Sequence, residues 1–187
     1  HYRADKIRSK KIRKNDIFLC DSGGQYRYGT TDVTRTICFS RPNKYIKEIF
    51  TKVLKGHIAI ATANLNKNFN GKLLDPLARK YLIESGLDYK HGTGHGVGFF
   101  LNVHEGPQSI SKYNDIKFRE GMILSNEPGF YKKGIFGIRI ENLVYVKKIN
   151  KKLLFENLTL APIEKELINF KKLKKKEKDY LFNYHLN

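Results

Sequence analysis

The sequence predicts an α+β fold in which antiparallel strands are flanked by helices. Three observations carry that prediction. Two β-rich runs near the start flank a short polar turn, apolar residues recur at helical spacing over 46–58, and β-rich runs return after residue 120.

Taken in order, residues 16–26 (D-I-F-L-C-D-S-G-G-Q-Y) and 30–39 (T-T-D-V-T-R-T-I-C-F) predict an antiparallel hairpin around a Gly-containing turn. Pairing its arms brings Asp21 and Asp32 close, one projecting from each strand. Arg41-Pro42-Asn43 ends the hairpin, and Ile46, Ile49, Phe50, Val53, Leu54 and Ile58 form the apolar stripe of a first helix. A second helix is expected with Asp75 as its N-cap, Pro76 at its first position, Leu77, Tyr81 and Leu82 facing inward and Gly86 as its stop. Glycines then crowd residues 92–98. A phosphate-cradling loop would need Lys followed by Ser or Thr after the last of them, and none follows. The glycines are expected instead to let the backbone pass close to a substrate and to His95. Strands are predicted at 122–126, 137–146 and 153–160. The stretch 176–187 reads as a short amphipathic helix with Tyr180, Leu181 and Tyr184 on one side.

With 187 residues, 40% of them hydrophobic, and with 12 Phe and 11 Tyr, the chain can bury a sizeable core as one domain or part of one. It opens on His1 with neither an initiator Met nor an apolar leader. It is therefore read as a fragment whose upstream part is missing and which would not fold stably alone. No run of 18 apolar residues is present, which argues against a membrane-spanning helix. Cys20 and Cys38 fall in predicted strands and are expected as reduced thiols, in keeping with a reducing compartment. The net charge of +18 raises the question of a nucleic-acid partner. It is concentrated in seven Lys or Arg within 1–14 and eleven Lys within 147–178. Neither stretch carries interleaved aromatics or a nucleic-acid-binding signature, so the charge is read as a solvated surface with no nucleic-acid partner.

Five side chains suited to metal binding stand in order along the chain. They are Asp21 in L-C-D-S-G-G-Q-Y, Asp32 in T-T-D-V-T-R-T, His95 in H-G-T-G-H-G-V-G, Glu127 in S-N-E-P-G-F-Y and Glu141 in G-I-R-I-E-N. Four carboxylates and one imidazole are hard and borderline donors, which suit two divalent first-row ions sharing bridging oxygens better than one structural zinc. Any one carboxylate alone could be a salt bridge or a helix cap. Five of these side chains in Gly-rich or strand-like settings point together to a dinuclear hydrolase. Arg139, two residues before Glu141, can brace a carboxylate such as Asp21, and Tyr131 is a candidate partner for that arginine.

Together these motifs resemble the metallopeptidases of the pita-bread fold, a family that includes methionine aminopeptidase, prolidase and aminopeptidase P. The closer likeness is to aminopeptidase P (Xaa-Pro aminopeptidase) of the eukaryotic cytosolic type. It rests on D-S-G-G-Q-Y-x-x-G-T-T-D-V-T-R-T, H-G-T-G-H-G-V-G-x-x-L-N-V-H-E-G-P and N-E-P-G-F-Y-x-x-G-x-x-G-I-R-I-E-N, and on L-T-L-A-P-I and K-E-K-D-Y-L-F-N-Y-H in the tail. The resemblance implies a curved antiparallel sheet flanked by helices. Residues 1–147 would be the C-terminal part of a pita-bread catalytic domain and 148–187 a C-terminal extension. It implies removal of the N-terminal residue from peptides with proline in second position, by a hydroxide activated by two divalent metal ions, manganese being the expected metal. Prolidase, which takes Xaa-Pro dipeptides, is the alternative. A homodimer with a peptide substrate as its partner is also implied, as is a cytoplasmic location, with a digestive-vacuole-type compartment as the alternative.

In that resemblance Asp21 holds one ion, His95 and Glu127 hold the other, and Asp32 and Glu141 bridge the two. Glu127 also passes a proton to the leaving nitrogen, and His104 of N-V-H-E-G-P donates to the substrate and its tetrahedral intermediate, so these two form the catalytic pair. The implied substrate contacts are His1, His91, His104, Glu127 and Arg139, with His91 lining the pocket for the residue after the cleaved bond. His57 and His185 carry no expected role in the site.

Overall fold

The computed structural model describes residues 9–100 and 102–186, so the substrate contact expected of His1 lies outside the described residues. The expected hairpin forms from β1 (Ile17–Tyr26) and β2 (Gly29–Cys38), paired antiparallel. Its register sets Asp21 opposite Thr34 and Asp32 opposite Gly23, which makes the two aspartates diagonal neighbours on one face. The helix α1 (Lys44–Ala61) begins at Asn43, whose side chain accepts the Ile46 N–H at 2.9 Å. Ile49, Phe50, Val53, Leu54 and Ile58 are buried as expected. Each such side chain stabilises the fold by about 1.5–3 kcal/mol on leaving water.

The second helix departs from expectation. Helix α2 (Gly71–Ile83) starts at Asn70, whose side chain accepts the Leu73 N–H at 3.0 Å, and Pro76 sits inside the helix. Asp75 is not a cap. It is 2% exposed, with Oδ2 accepting from Arg79 Nε at 2.7 Å and Oδ1 from the Thr93 hydroxyl at 2.6 Å. Asp-Pro is a strong local start signal, but a buried carboxylate needs partners that satisfy it, and here those come from within the helix and from a distant loop.

Two two-residue strands, β3 (Gly94–His95) and β4 (Ser109–Ile110), pair with each other. They are followed by β5 (Ile123–Asn126), β6 (Gly129–Lys132), β7 (Phe136–Arg139), β8 (Asn142–Ile149) and β9 (Lys152–Asn157). All these pairings are antiparallel: β5, β8 and β9 form a three-stranded sheet, and β6 with β7 a second hairpin. The strand expected over 137–146 is therefore two strands, broken at residues 140 and 141, and β6 is an element that its short polar-aromatic sequence does not signal. The break matters for the site. It releases the Glu141 N–H from the ladders, and that group donates instead to the Thr34 carbonyl on β2, at 3.1 Å.

Helix α3 (Lys175–Leu186) buries Leu181 and Tyr184 in the same cluster as Phe50 of α1 and Ile138 of β7, together with Leu167 and Leu173 from the segment before it. Residues after the last strand thus share a core with the sheet. A second cluster, including Leu74, Leu124, Val144 and Phe155, lies between α2 and the three-stranded sheet. Cys20 and Cys38 are half-buried and form no disulfide. Among the described residues no helix is long and apolar enough to cross a membrane.

Arg79 ties α2 to the loop that follows it. Besides Asp75 it donates to Asp88 Oδ1 (2.8 Å) and to the carbonyls of Tyr89 (2.6 Å) and His91 (2.7 Å). Replacing Arg79 by Met leaves Asp75 buried without its counter-charge and is expected to lower the unfolding free energy by about 3–5 kcal/mol. Adding Asp75→Leu should recover part of that loss. Denaturant unfolding of both variants checks this, and equal losses would show that the ion pair is not what the burial of Asp75 depends on.

Candidate metal centre

All five expected ligands converge from different elements: Asp21 from β1, Asp32 from β2, His95 from β3, Glu127 just after β5 and Glu141 in the break between β7 and β8. Three groups of side chains each have donor atoms within 4.8 Å of one another: Asp21, Asp32 and Glu141; His95, Glu127 and Glu141; and Asp32, His95 and His104. Asp32, His95 and Glu141 each belong to two of these groups. The cluster is graded in burial, from exposed Asp21 through half-buried His95 and Glu127 to buried Asp32 and Glu141.

Close backbone approach positions His95. A Cβ at Gly94 would lie 1.9 Å from the Ser125 carbonyl oxygen, and one at Gly96 would lie 2.0 Å from that of Glu105, so only glycine fits on either side of the histidine. The glycines expected to admit a substrate thus admit neighbouring backbone. His95 Nδ1 is 2.9 Å from the Gly96 carbonyl, which takes a proton there and leaves Nε2 facing the carboxylates. Nε2 lies 3.4 Å from Asp32 Oδ2 and 3.3 Å from Glu127 Oε1.

Two hydroxyls hold the glutamates. The Thr34 hydroxyl donates to Glu141 Oε2 at 2.6 Å and accepts from Arg139 Nε at 2.9 Å. The Ser125 hydroxyl donates to Glu127 Oε1 at 2.9 Å and accepts the His95 N–H at 2.9 Å. Sequence reasoning passed over both. Each stands two residues from an expected ligand, Thr34 after Asp32 on β2 and Ser125 before Glu127 at the end of β5, so strand alternation was the available signal. Arg139 braces Asp21 as expected, through Nη2 to Oδ2, and donates to the Tyr131 hydroxyl at 3.0 Å. That hydroxyl lies 2.9 Å from His91 Nε2, while His91 Nδ1 lies 2.7 Å from the Gly92 carbonyl. Tyr131 therefore donates to His91, and the histidine joins the rim of the cluster. His104 is exposed, its ring 3.9 Å from that of His95. His57 is fully buried in α1, and His185 Nε2 accepts the Ile163 N–H at 3.1 Å, away from the cluster.

The electrostatics are those of crowded acids. Burial lifts the Glu127 carboxyl above its ordinary range, only partly opposed by His95, the Ser125 hydroxyl and Arg139. Burial also lifts Glu141, and the charges of Glu127 and Asp32 push it the same way. Burial pulls His95 down, but its hydrogen bonds to Asp32 and the Gly96 carbonyl, with the nearby charge of Glu127, leave it raised. Burial lowers His104, and His95 adds to that. The residues fit a pair of divalent cations. Glu141 Oε1 is buried with no hydrogen-bond partner among the described residues, His95 turns Nε2 toward the carboxylates, and the donors are oxygen-rich.

Known proteins carry the same pattern. Residues 1–148 match metallopeptidase family M24, and residues 151–187 match the C-terminal region of peptidase M24. A probable Xaa-Pro aminopeptidase P of Laccaria bicolor is 47% identical over 99% of this chain, which covers 30% of that protein. An X-prolyl aminopeptidase from Caenorhabditis elegans, described as a cytosolic enzyme with a di-nuclear active site, superposes on the whole chain with a TM-score of 0.90 at 41% identity, over 31% of its own length. Prolidase from Pyrococcus furiosus covers 80% of this chain and 43% of its own, with a TM-score of 0.71 at 32% identity. The chain thus spans about 30% of the length of the curated relatives it matches. Its antiparallel sheets and flanking helices are those of the pita-bread neighbours, and the chain belongs to metallopeptidase family M24.

Proposed function

We propose that this protein is a metallo-aminopeptidase that removes the N-terminal residue from peptides with proline in second position. The convergence of Asp21, Asp32, His95, Glu127 and Glu141 carries the reading, because it gathers a dinuclear donor set beside two further histidines. The name and the di-nuclear site of the worm relative support it. Asp21 would hold one divalent ion, His95 and Glu127 the other, with Asp32 and Glu141 shared. Two ions held there supply a water acidified toward neutrality and an electrophilic pull on the scissile carbonyl. Glu127 takes the proton from the attacking water and passes it to the leaving nitrogen. His104, exposed at the rim, donates to the carbonyl oxygen as charge develops on it. His91 and Arg139 border the space next to the site and contact the substrate. Manganese is the assigned metal, supported by the oxygen-rich donors. The domain division at residue 147, a homodimer and a cytoplasmic location belong to the same reading; the cytosolic description of the worm relative supports the last.

The crowded acids generate a pH prediction. With raised Glu127, Glu141 and His95, the folded metal-free protein binds more protons than the unfolded chain, so its stability falls as pH rises through their folded values. His57, lowered to about 3, and the lowered His91 and His104 act oppositely, but only below their ordinary value of 6.5. Between pH 6.5 and about 8, where thiols begin to titrate, the metal-free protein should lose stability and the loaded protein should not. Melting temperatures with and without divalent metal check this, and a metal-induced gain independent of pH would contradict it.

Glu127→Gln and His104→Ala should fail differently. The first removes a ligand charge and the proton carrier, so metal content and turnover fall together. The second should keep two ions and lose on the order of 10²-fold or more in kcat, the usual cost of losing a donor to a developing oxyanion. Metal analysis beside kinetics separates them. Because His104 also groups with Asp32 and His95, loss of metal from His104→Ala would make it a ligand and reassign the roles.

Chain length separates this reading from prolidase. The protein should cleave Xaa-Pro-Yaa peptides and lose activity when proline becomes alanine, since a mismatch of that size costs about 1–3 kcal/mol in a shaped pocket and misplaces the scissile bond. Hydrolysis of one Xaa-Pro dipeptide is compared with that of its Xaa-Pro-Pro extension. A strong dipeptide preference would transfer the assignment to prolidase.

A further inference from the structure

Arg35 lies on β2 between Thr34 and Thr36, and strand alternation turns it away from the face that bears Asp32 and Thr34. Its guanidinium is largely buried, yet among the described residues it meets only neutral acceptors. Nη1 donates to the carbonyls of Thr34 (2.8 Å) and Glu141 (2.6 Å). Nη2 donates to Asn142 Oδ1 (2.7 Å), the Ala161 carbonyl (2.6 Å) and the Tyr184 hydroxyl (2.9 Å). Nε donates to the Pro162 carbonyl at 2.9 Å.

These contacts fall into two sets. One holds the main-chain carbonyls of Thr34 and Glu141 and the side chain of Asn142, behind the metal centre. The other holds Ala161, Pro162 and Tyr184, all of which lie in the segment that matches the family's C-terminal region. The first set includes Glu141, which belongs to no strand. Glu141 stands between two strands, and it is fixed there by its own N–H to the Thr34 carbonyl, by the Thr34 hydroxyl on Oε2 and by Arg35 on its carbonyl. A half-buried cation that, among the described residues, hydrogen-bonds only neutral acceptors is a costly way to attach a terminal segment, because apolar packing would serve. The fork geometry of arginine explains the choice, since one rigid planar group reaches both sets at once and a point charge cannot.

We propose that Arg35 is a positioning residue for the metal centre, and that the C-terminal segment acts through it to hold Glu141 in place to share two ions. This rests on the reading of Glu141 as a metal ligand. In the C-terminal segment, Tyr184 is the residue whose side chain grips the guanidinium, and its hydroxyl also lies 2.7 Å from the Ala161 carbonyl.

Stepwise cobalt(II) titration of the metal-depleted full-length protein tests this, read by visible absorption and by calorimetry. Arg35→Lys keeps the charge and loses the fork, Tyr184→Phe removes only the hydroxyl, and Leu167→Ala cuts a buried side chain from the same segment without touching Arg35. Arg35→Lys should still take up two ions at saturation, with the weaker one bound about tenfold or more less tightly and an altered cobalt spectrum, the usual effect of removing support from a ligand. Tyr184→Phe should shift both readouts in the same direction by less, and it carries the test if Arg35→Lys does not fold. Leu167→Ala should lower the melting temperature and leave cobalt affinity within about twofold, since a distant cavity acts on stability alone. Unchanged affinity in both Arg35→Lys and Tyr184→Phe overturns the proposal, and so does weakening in all three in proportion to lost stability. If the unsubstituted protein binds no cobalt, the metal reading itself falls, an outcome distinct from either.

Discussion

Four carboxylates cannot share so small a space without compensating positive charge. Glu141 has donor atoms within 4.8 Å of those of Asp21, Asp32 and Glu127, and at that distance a pair of ionised acids repels by roughly 3–4 kcal/mol even at an effective dielectric of about 20. Two of the four are buried, so water cannot screen them. In the metal-free protein burial above all, and for Glu141 also the charges of Glu127 and Asp32, holds the protons of Glu127 and Glu141 above the ordinary carboxylate range. Divalent cations relieve the repulsion, and in doing so invert the local proton chemistry. The rest of the structure can be understood as the means of holding these acids together.

No single element could do this. The five candidate ligands come from five places in the chain, and different devices fix those places. Hairpin register sets the two aspartates diagonally, glycine-only backbone contacts seat His95, and hydroxyls of Thr34 and Ser125 aim the glutamates. Arg139 supplies the nearby positive charge, reaching Asp21, Thr34 and Tyr131 from one side chain. Behind the site, Arg35 spans from the Glu141 main chain to the C-terminal segment. The buried end of the cluster is held by hydrogen bonds, whereas Asp21 and His104 sit exposed.

Where the sequence misled, the cause was a local signal outweighed by a distant partner. Asp75-Pro76 has the form of a helix start, but the demand of a buried carboxylate for Arg79 and Thr93 places it within the helix, and Asn70 caps instead. The β-rich run 137–146 has no local feature that breaks it. Its interruption at Glu141 comes from the Thr34 carbonyl and from Arg35, both more than a hundred residues away in sequence. The dense glycines marked close approach, and at Gly94 and Gly96 what they approach is the backbone of Ser125 and Glu105.

The sequence by itself determined the types and order of the five candidate ligands and the hairpin that pairs the aspartates. These depend on side-chain chemistry and on local periodicity, which are written residue by residue. It also pointed to Arg139 as the brace for Asp21, because strand alternation puts an arginine near a crowded set of acids. The tertiary structure alone decided that the Thr34 hydroxyl meets Glu141, how His91 joins Tyr131, and that half-buried Arg35 links the last helix to the main chain of Glu141. Those contacts join residues 40 to 149 positions apart. No periodicity encodes such pairings, since they exist only once the two cores have closed and left each buried polar atom to find its partner.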